Sequence, residues 1–147
     1  MDEKLNFYAI VDEICLKDSR YKPESYEFVM QGLRFTQGRF KKEGHLSGRE
    51  LLDGLRQFAI EQYGSLAERV LNHWGINSTL DFGNIVFNLI EKKVLSKTDE
   101  DSLEDFRDAY DFKKAFANIL RKSIIRDIEY SRSPRKAAPV KVKDKTC

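Results

Sequence analysis

Two histidines, His45 and His73, are the whole stock of imidazole in this 147-residue chain, so a serine or cysteine nucleophile would have to be activated by one of them. His45 stands just before Ser47, but Ser47-Gly-Arg-Glu50 is a capping-box pattern. In such a box the serine hydroxyl accepts the glutamate amide proton while the carboxylate reaches back, which makes Ser47 a helix cap and not a nucleophile. His73 falls in the last turn before Gly75, where a cation suits the negative end of a helix dipole. Cys15 lies among apolar residues and reads as a small buried hydrophobe, while Cys147 ends the sequence. Two cysteines give neither a disulfide framework nor metal-ligand spacing, and a reducing compartment is the default. No catalytic residue, cofactor site or metal site is read from the sequence.

The second stock of chemistry is acidic. Asp99, Glu100, Asp101, Glu104, Asp105, Asp108 and Asp111 share residues 99–111 with Arg107 as the lone cation. Divalent metal is the first idea, but DEDSLEDFRDAYD lacks the sixth-position glycine and the twelfth-position glutamate of a calcium loop. The remaining readings are a solvated acidic loop or a docking surface for a basic partner, the chain's own basic tail included. The chain carries the opposite sign as well. In residues 131–147, Arg132, Arg135, Lys136, Lys141, Lys143 and Lys145 face only Asp144, giving +5 and leaving −3 for residues 1–130 of an overall +2. The candidate partner-contact residues are therefore Asp99, Glu100, Asp101, Glu104, Asp105 and Asp108, with the six basic residues of the tail.

Helices must position these groups. Phe7, Ile10, Val11 and Ile14 recur at helical spacing over 4–16. Pro23 suits the first turn of a second helix over 24–42, with Tyr26, Val29, Met30 and Leu33 on its face. Gly32 and Gly38 weaken it, a break is expected near Gly38, and Gly44 is its stop. Three capped starts then follow: Ser47 with Glu50, Ser65 with Glu68, and Ser78 with Asp81, with glycine stops at Gly64 and Gly75. Leu51, Leu52, Leu55, Phe58 and Ala59 form the first face, Leu66, Ala67, Val70, Leu71 and Trp74 the second, and Phe82, Ile85, Val86, Leu89 and Ile90 the third. Gly83 inside the third helix predicts close approach of another backbone.

Helices over 65–74 and 79–92 around a short turn have the layout of a helix-turn-helix. Residues 94–112 then read as a small β-hairpin, a wing, from the strand-like Val94–Thr98 and the even-spaced Phe106, Tyr110 and Phe112; the competing reading is helix. A last helix runs from Asp111 to about Tyr130. The expected fold class is mainly α: a compact multi-helix domain, residues 1–130, with a winged-helix-like central unit and a small hairpin. Residues 131–147, rich in Ser, Pro, Lys and Arg, are expected to be a disordered basic tail.

YEFVMQGL (26–33), SGRELLDGLRQFA (47–59), LNHWGI (71–76), DFGNIVFNLIEKKVLSKTDEDS (81–102) and EDFRDAYDF (104–112) resemble a small bacterial family of conserved, uncharacterised proteins. The resemblance spans about residues 20–118 and implies a bacterial, cytoplasmic protein with a variable C-terminal tail. It brings no activity, ligand or site residue with it.

Function classes sort by charge. The outer face of the third capped helix would present Asp81, Asn84, Asn88 and Glu91, and the expected wing is the most acidic stretch of the chain. Phosphate neutralisation needs the opposite sign, so specific DNA reading is disfavoured. RNA or ribosome contact is the alternative, through the tail or through RFTQGRFKK, which interleaves Arg34, Arg39, Lys41 and Lys42 with Phe35 and Phe40. The bland counterpart places those phenylalanines in the core. The acidic start carries no signal-peptide pattern, and no apolar run approaches a membrane span. The sequence therefore leads to a non-catalytic protein–protein interaction module, with no membrane and no cofactor expected.

Overall fold

A computed structural model describes residues 3–41 and 44–117. Of the helix expected from Asp111 to about Tyr130 only residues 111–117 are described, holding one helical turn at Phe112–Ala115; the rest of it, the boundary at residue 130 and the tail with Arg132, Arg135, Lys136, Lys141, Lys143 and Lys145 lie outside the described residues. Five longer helices follow one another: α1 Glu3–Lys17, α2 Pro23–Phe40, α3 Gly48–Tyr63, α4 Ala67–His73 and α5 Thr79–Glu91. Shorter 3-10 turns lie at Gly64–Leu66 and Leu103–Phe106, and a single helical turn at Phe112–Ala115. The mainly helical class is what the apolar periodicity predicted.

The expected stripes meet in one core. Val11 and Ile14 of α1, Tyr26 and Val29 of α2, Leu51, Leu52, Leu55, Phe58 and Ala59 of α3, and Phe82, Ile85, Val86 and Leu89 of α5 are all buried there. α4 contributes Ala67 and Leu71, whereas Leu66, expected on the same face, is exposed. Phe28 joins Phe58, Trp74 and Phe82 at ring-centroid separations of 5.3, 5.6 and 6.4 Å.

Small residues set how closely α2 and α3 cross. A Cβ on Gly32 would overlap the Leu55 side chain, and one on Gly54 would overlap Thr36. Thr36 is itself buried, its Oγ1 donating to the Gly32 carbonyl at 2.7 Å. Gly32 thus weakens its own helix but admits a second one. Gly38 has no neighbour within 4 Å, and α2 runs past it without a break. The helix stops at Lys41, left-handed at φ 55°, whose N–H closes onto the Gly38 carbonyl at 3.3 Å, so Gly44 is not the stop.

The three predicted caps have three outcomes. At Ser47 the full box forms: its Oγ accepts from the Glu50 N–H at 3.1 Å, and Glu50 Oε1 accepts from the Ser47 N–H at 2.9 Å. At Ser65 it does not, because Gly64–Leu66 is a 3-10 turn and α4 begins only at Ala67. Glu68 instead accepts from Lys113 Nζ at 3.3 Å. At Ser78 the hydroxyl caps nothing, and Asp81 reaches back one residue further to the Asn77 N–H at 2.8 Å.

Candidate partner-contact surface

The acidic segment is no hairpin, and no strand occurs among the described residues. The reason lies at the end of α5. The Val94 N–H donates to the Leu89 carbonyl at 2.9 Å and the Leu95 N–H to the same oxygen at 3.4 Å, around Lys93 at φ 63°. Amides captured by the last carbonyls of a helix cannot form a strand ladder. The even spacing of Phe106, Tyr110 and Phe112 has another cause. Phe106 and Phe112 are both core residues, and the Tyr110 hydroxyl donates to the Leu52 carbonyl at 3.0 Å. With no wing among the described residues, the winged-helix expectation is corrected to two helices, α4 and α5, followed by a chain of capped turns.

Side chains of the segment itself build those turns. Asp101 accepts from the Thr98 N–H at 2.8 Å and lies 2.7 Å from His45 Nε2. Burial pushes the Asp101 carboxyl up, but the Thr98 amide and His45 outweigh it and hold the group below the ordinary carboxylate range. Asp105 accepts from the Ser102 N–H at 3.1 Å, while Ser102 Oγ accepts from the Glu104 N–H at 3.1 Å. Glu104 pairs with Arg107 at 3.0 Å. Asp111 caps the last helical turn, accepting from the Lys114 N–H at 3.1 Å. Of the candidate acids, Asp99, Glu100, Glu104 and Asp108 are exposed, whereas Asp101 and Asp105 are partly buried and engaged in capping.

Gly83 and Thr79 help to fasten this segment to α5, and only the glycine was legible. A Cβ on Gly83 would come within 2.6 Å of Phe106 Cβ, so the glycine that predicted close approach admits a side chain and not a backbone. Thr79 gave no sequence signal, yet it is buried, donates to the Phe106 carbonyl at 2.5 Å and accepts from the Ala109 N–H at 3.1 Å. A threonine at the first position of a helix looks like any other helix start; its partners lie 27 and 30 residues away in sequence.

The polar face of α5 is also engaged, and it points at protein. Tyr21, at the close of the α1–α2 connection, donates to Asp81 at 2.5 Å and accepts from Asn84 Nδ2 at 2.9 Å. Asn88 Nδ2 lies 3.0 Å from both Asp18 Oδ2 and the Tyr26 hydroxyl. Lys92 pairs with Glu13 at 2.9 Å. Arg20 grips Asp18 with Nε and Nη2 at 2.9 and 2.7 Å. Those bonds, with Asn88 and against partial burial, hold the Asp18 carboxyl far below its usual range. Burial pushes the Tyr26 phenol up to about 12, and burial with Asp81 pushes Tyr21 higher still. Of the outward residues expected on that helix, Asp81, Asn84 and Asn88 are partly buried and bonded to residues 18–26, while Glu91 is exposed.

The enzyme constellations do not assemble. Ser47 is a cap, His45 is bonded to Asp101, and His73 closes α4 exposed to solvent. Cys15 is half-buried, its Sγ donating to the Tyr21 carbonyl at 3.7 Å; burial and then Asp12, Asp18 and Glu24 raise its pKa. Among the described residues no group of three His, Cys, Asp or Glu could hold a metal ion, and no helix is long and apolar enough to cross a membrane. In the basic–aromatic stretch Phe35 packs on Phe58 with centroids 5.2 Å apart, while Phe40 is 37 % exposed between the exposed Arg39 and Lys41. The bland reading thus holds for Phe35 and not for Phe40. Comparison with known proteins gives no family model, no curated protein and no solved structure that matches this chain.

Proposed function

We propose that this protein is a non-catalytic protein–protein interaction module that presents a pre-shaped acidic turn to a basic partner, in a bacterial cytoplasm as the family resemblance implies. The observation that supports it is the division of labour in residues 99–108. Asp101 and Asp105 hold the turns, Thr79 fastens them to α5, and Asp99, Glu100 and Asp108 stay exposed. Acids displayed on a fixed backbone lose little freedom on binding and steer a basic partner by charge. RNA or ribosome contact remains the second reading, resting on exposed Phe40 beside Arg39 and Lys41.

Affinity capture from bacterial lysate tests both. Wild-type protein should retain a partner that an Asp99→Asn, Glu100→Gln, Asp108→Asn triple variant releases, and the capture should weaken with salt. Equal capture by the two proteins would sink the acidic-turn reading. Loss of the partner on nuclease treatment, together with loss on Phe40→Ala, would favour RNA.

A further inference from the structure

We infer that His45 is a proton-operated clasp on the acidic turn: protonated, it holds residues 98–101 against the connection between α2 and α3, and deprotonated, it lets that turn loosen. The inference concerns the order of the turn itself and does not depend on what the turn meets.

The clasp closes on one atom. Asp101 Oδ2 accepts from the Thr98 N–H at 2.8 Å and from the Thr98 hydroxyl at 3.2 Å, and His45 Nε2 lies 2.7 Å from the same oxygen. The Asp101 N–H donates to the Thr98 carbonyl at 3.1 Å and the Glu100 N–H to the Thr98 hydroxyl at 3.3 Å. Apart from a bond from the adjoining Lys97, the other bonds of residues 98–101 stay inside the turn. Among the described residues, the one polar link from this turn to the rest of the fold therefore ends on an imidazole, the side chain that changes charge between about pH 5 and 8.

Asp101 is the ionised group that His45 meets. Leu33 and Gln37 of α2, Leu51 of α3, and Leu46, Leu95 and Ser96 also surround it, and none of them ionises. The charged residues of the same elements are Arg34 and Lys41 on α2, Arg49 on α3, and Lys97, Asp99 and Glu100 at the turn, all exposed, while Glu50 serves the Ser47 box. An imidazolium–carboxylate bond is roughly twice as strong as the neutral bond that replaces it. Against burial, the Thr98 amide and His45 hold the Asp101 carboxyl below its ordinary range, so it stays ionised throughout the imidazole window. The charged clasp is thus complete on the acid side of that window and weakens as pH rises through it. With the His45 side chain 42 % exposed, solvent keeps the change modest.

The test is exchange of the Thr98 amide with water in the full chain, followed by magnetisation transfer from pH 5 to 8 and corrected for the intrinsic rate at each pH. The corrected exchange should rise about threefold across the window, in step with the His45 ring resonances. His45→Gln keeps a donor that does not titrate and should flatten the profile. His73→Gln, at the exposed end of α4, should leave the profile as in wild type. Corrected exchange that does not change with pH in the wild type, that falls toward pH 8, or that keeps its wild-type profile in His45→Gln overturns the clasp. A profile abolished by His73→Gln overturns it as well.

Discussion

Two polar surfaces of this molecule look alike in sequence and differ in space. One is the face of Asp81, Asn84 and Asn88 on α5 with Lys92 just past its end; the other is the acidic segment after it. The first is closed by Tyr21, Tyr26, Asp18 and Glu13. The second ties down its own backbone and leaves Asp99, Glu100 and Asp108 in solvent. The difference is one of reach. The α5 side chains face a tyrosine-bearing connection some 60–70 residues earlier in sequence, while the acids bond amides three residues away. A polar stripe is available to a partner only where the fold brings nothing to meet it, and helix-turn-helix order alone does not say which stripes those are.

The seam between the two surfaces is the place to break the contrast hardest. Gly83→Ala puts a Cβ 2.6–2.7 Å from Phe106 Cβ and Cγ, inside a packed contact. It should cost about 2–3 kcal/mol by chemical denaturation and displace the acidic turns. Gly38→Ala, with open space around it, should instead stabilise by about 1 kcal/mol. Equal effects would remove the distinction between a packing glycine and a tolerated one.

Thr79→Val keeps the shape but removes the donor to the Phe106 carbonyl and the acceptor for the Ala109 amide at a buried site. About 2 kcal/mol should be lost, with faster hydrogen exchange at Ala109. On the α5 side, Asn88→Ala leaves Asp18 and the Tyr26 hydroxyl short of a donor and should cost about 1–2 kcal/mol. A loss near zero would mean that water serves those groups equally well and that this face is more open than its bonds suggest.

These predictions also separate what was legible from what was not. Apolar spacing showed the α3 and α5 stripes residue by residue, because burial repeats with the helix. The Ser47 box was legible because both partners lie three residues apart. The same motif failed at Ser65, where the Gly64–Leu66 turn shifts the helix start, and at Ser78, where Asp81 serves the Asn77 amide and Tyr21. The hairpin failed because residues 94–95 complete the end of α5. Thr79, Tyr21 and Thr36 gave no signal, since their roles exist only after distant segments have met.

Acid separates the two surfaces without touching the packing. The Asp18 carboxyl is held far below its ordinary range by Arg20 and Asn88. A depressed folded-state pKa contributes stability above the unfolded value of about 3.9, and that contribution fades as pH falls toward the folded value. Asp18→Asn should therefore be less stable than wild type near pH 7, by about 1 kcal/mol after allowing for the 60 % exposure of Arg20. The gap should narrow steadily below about pH 4. A gap independent of pH would assign the effect to shape and not to charge.

The smallest effect is the one that decides what the acidic turn is for. Asp99 and Glu100 are exposed, and the turn around them is closed by Asp101 on Thr98 and His45. Neutralising both as Asp99→Asn with Glu100→Gln should leave stability within about 0.5 kcal/mol of wild type, because no buried group loses a partner. A larger loss would show that these acids hold the fold, as Asp101 and Asp105 do, and would move them to the structural side of the contrast. A clear gain would point the other way: like charges crowded on one turn repel, and a chain that keeps them at a cost to its own stability keeps them for something outside itself.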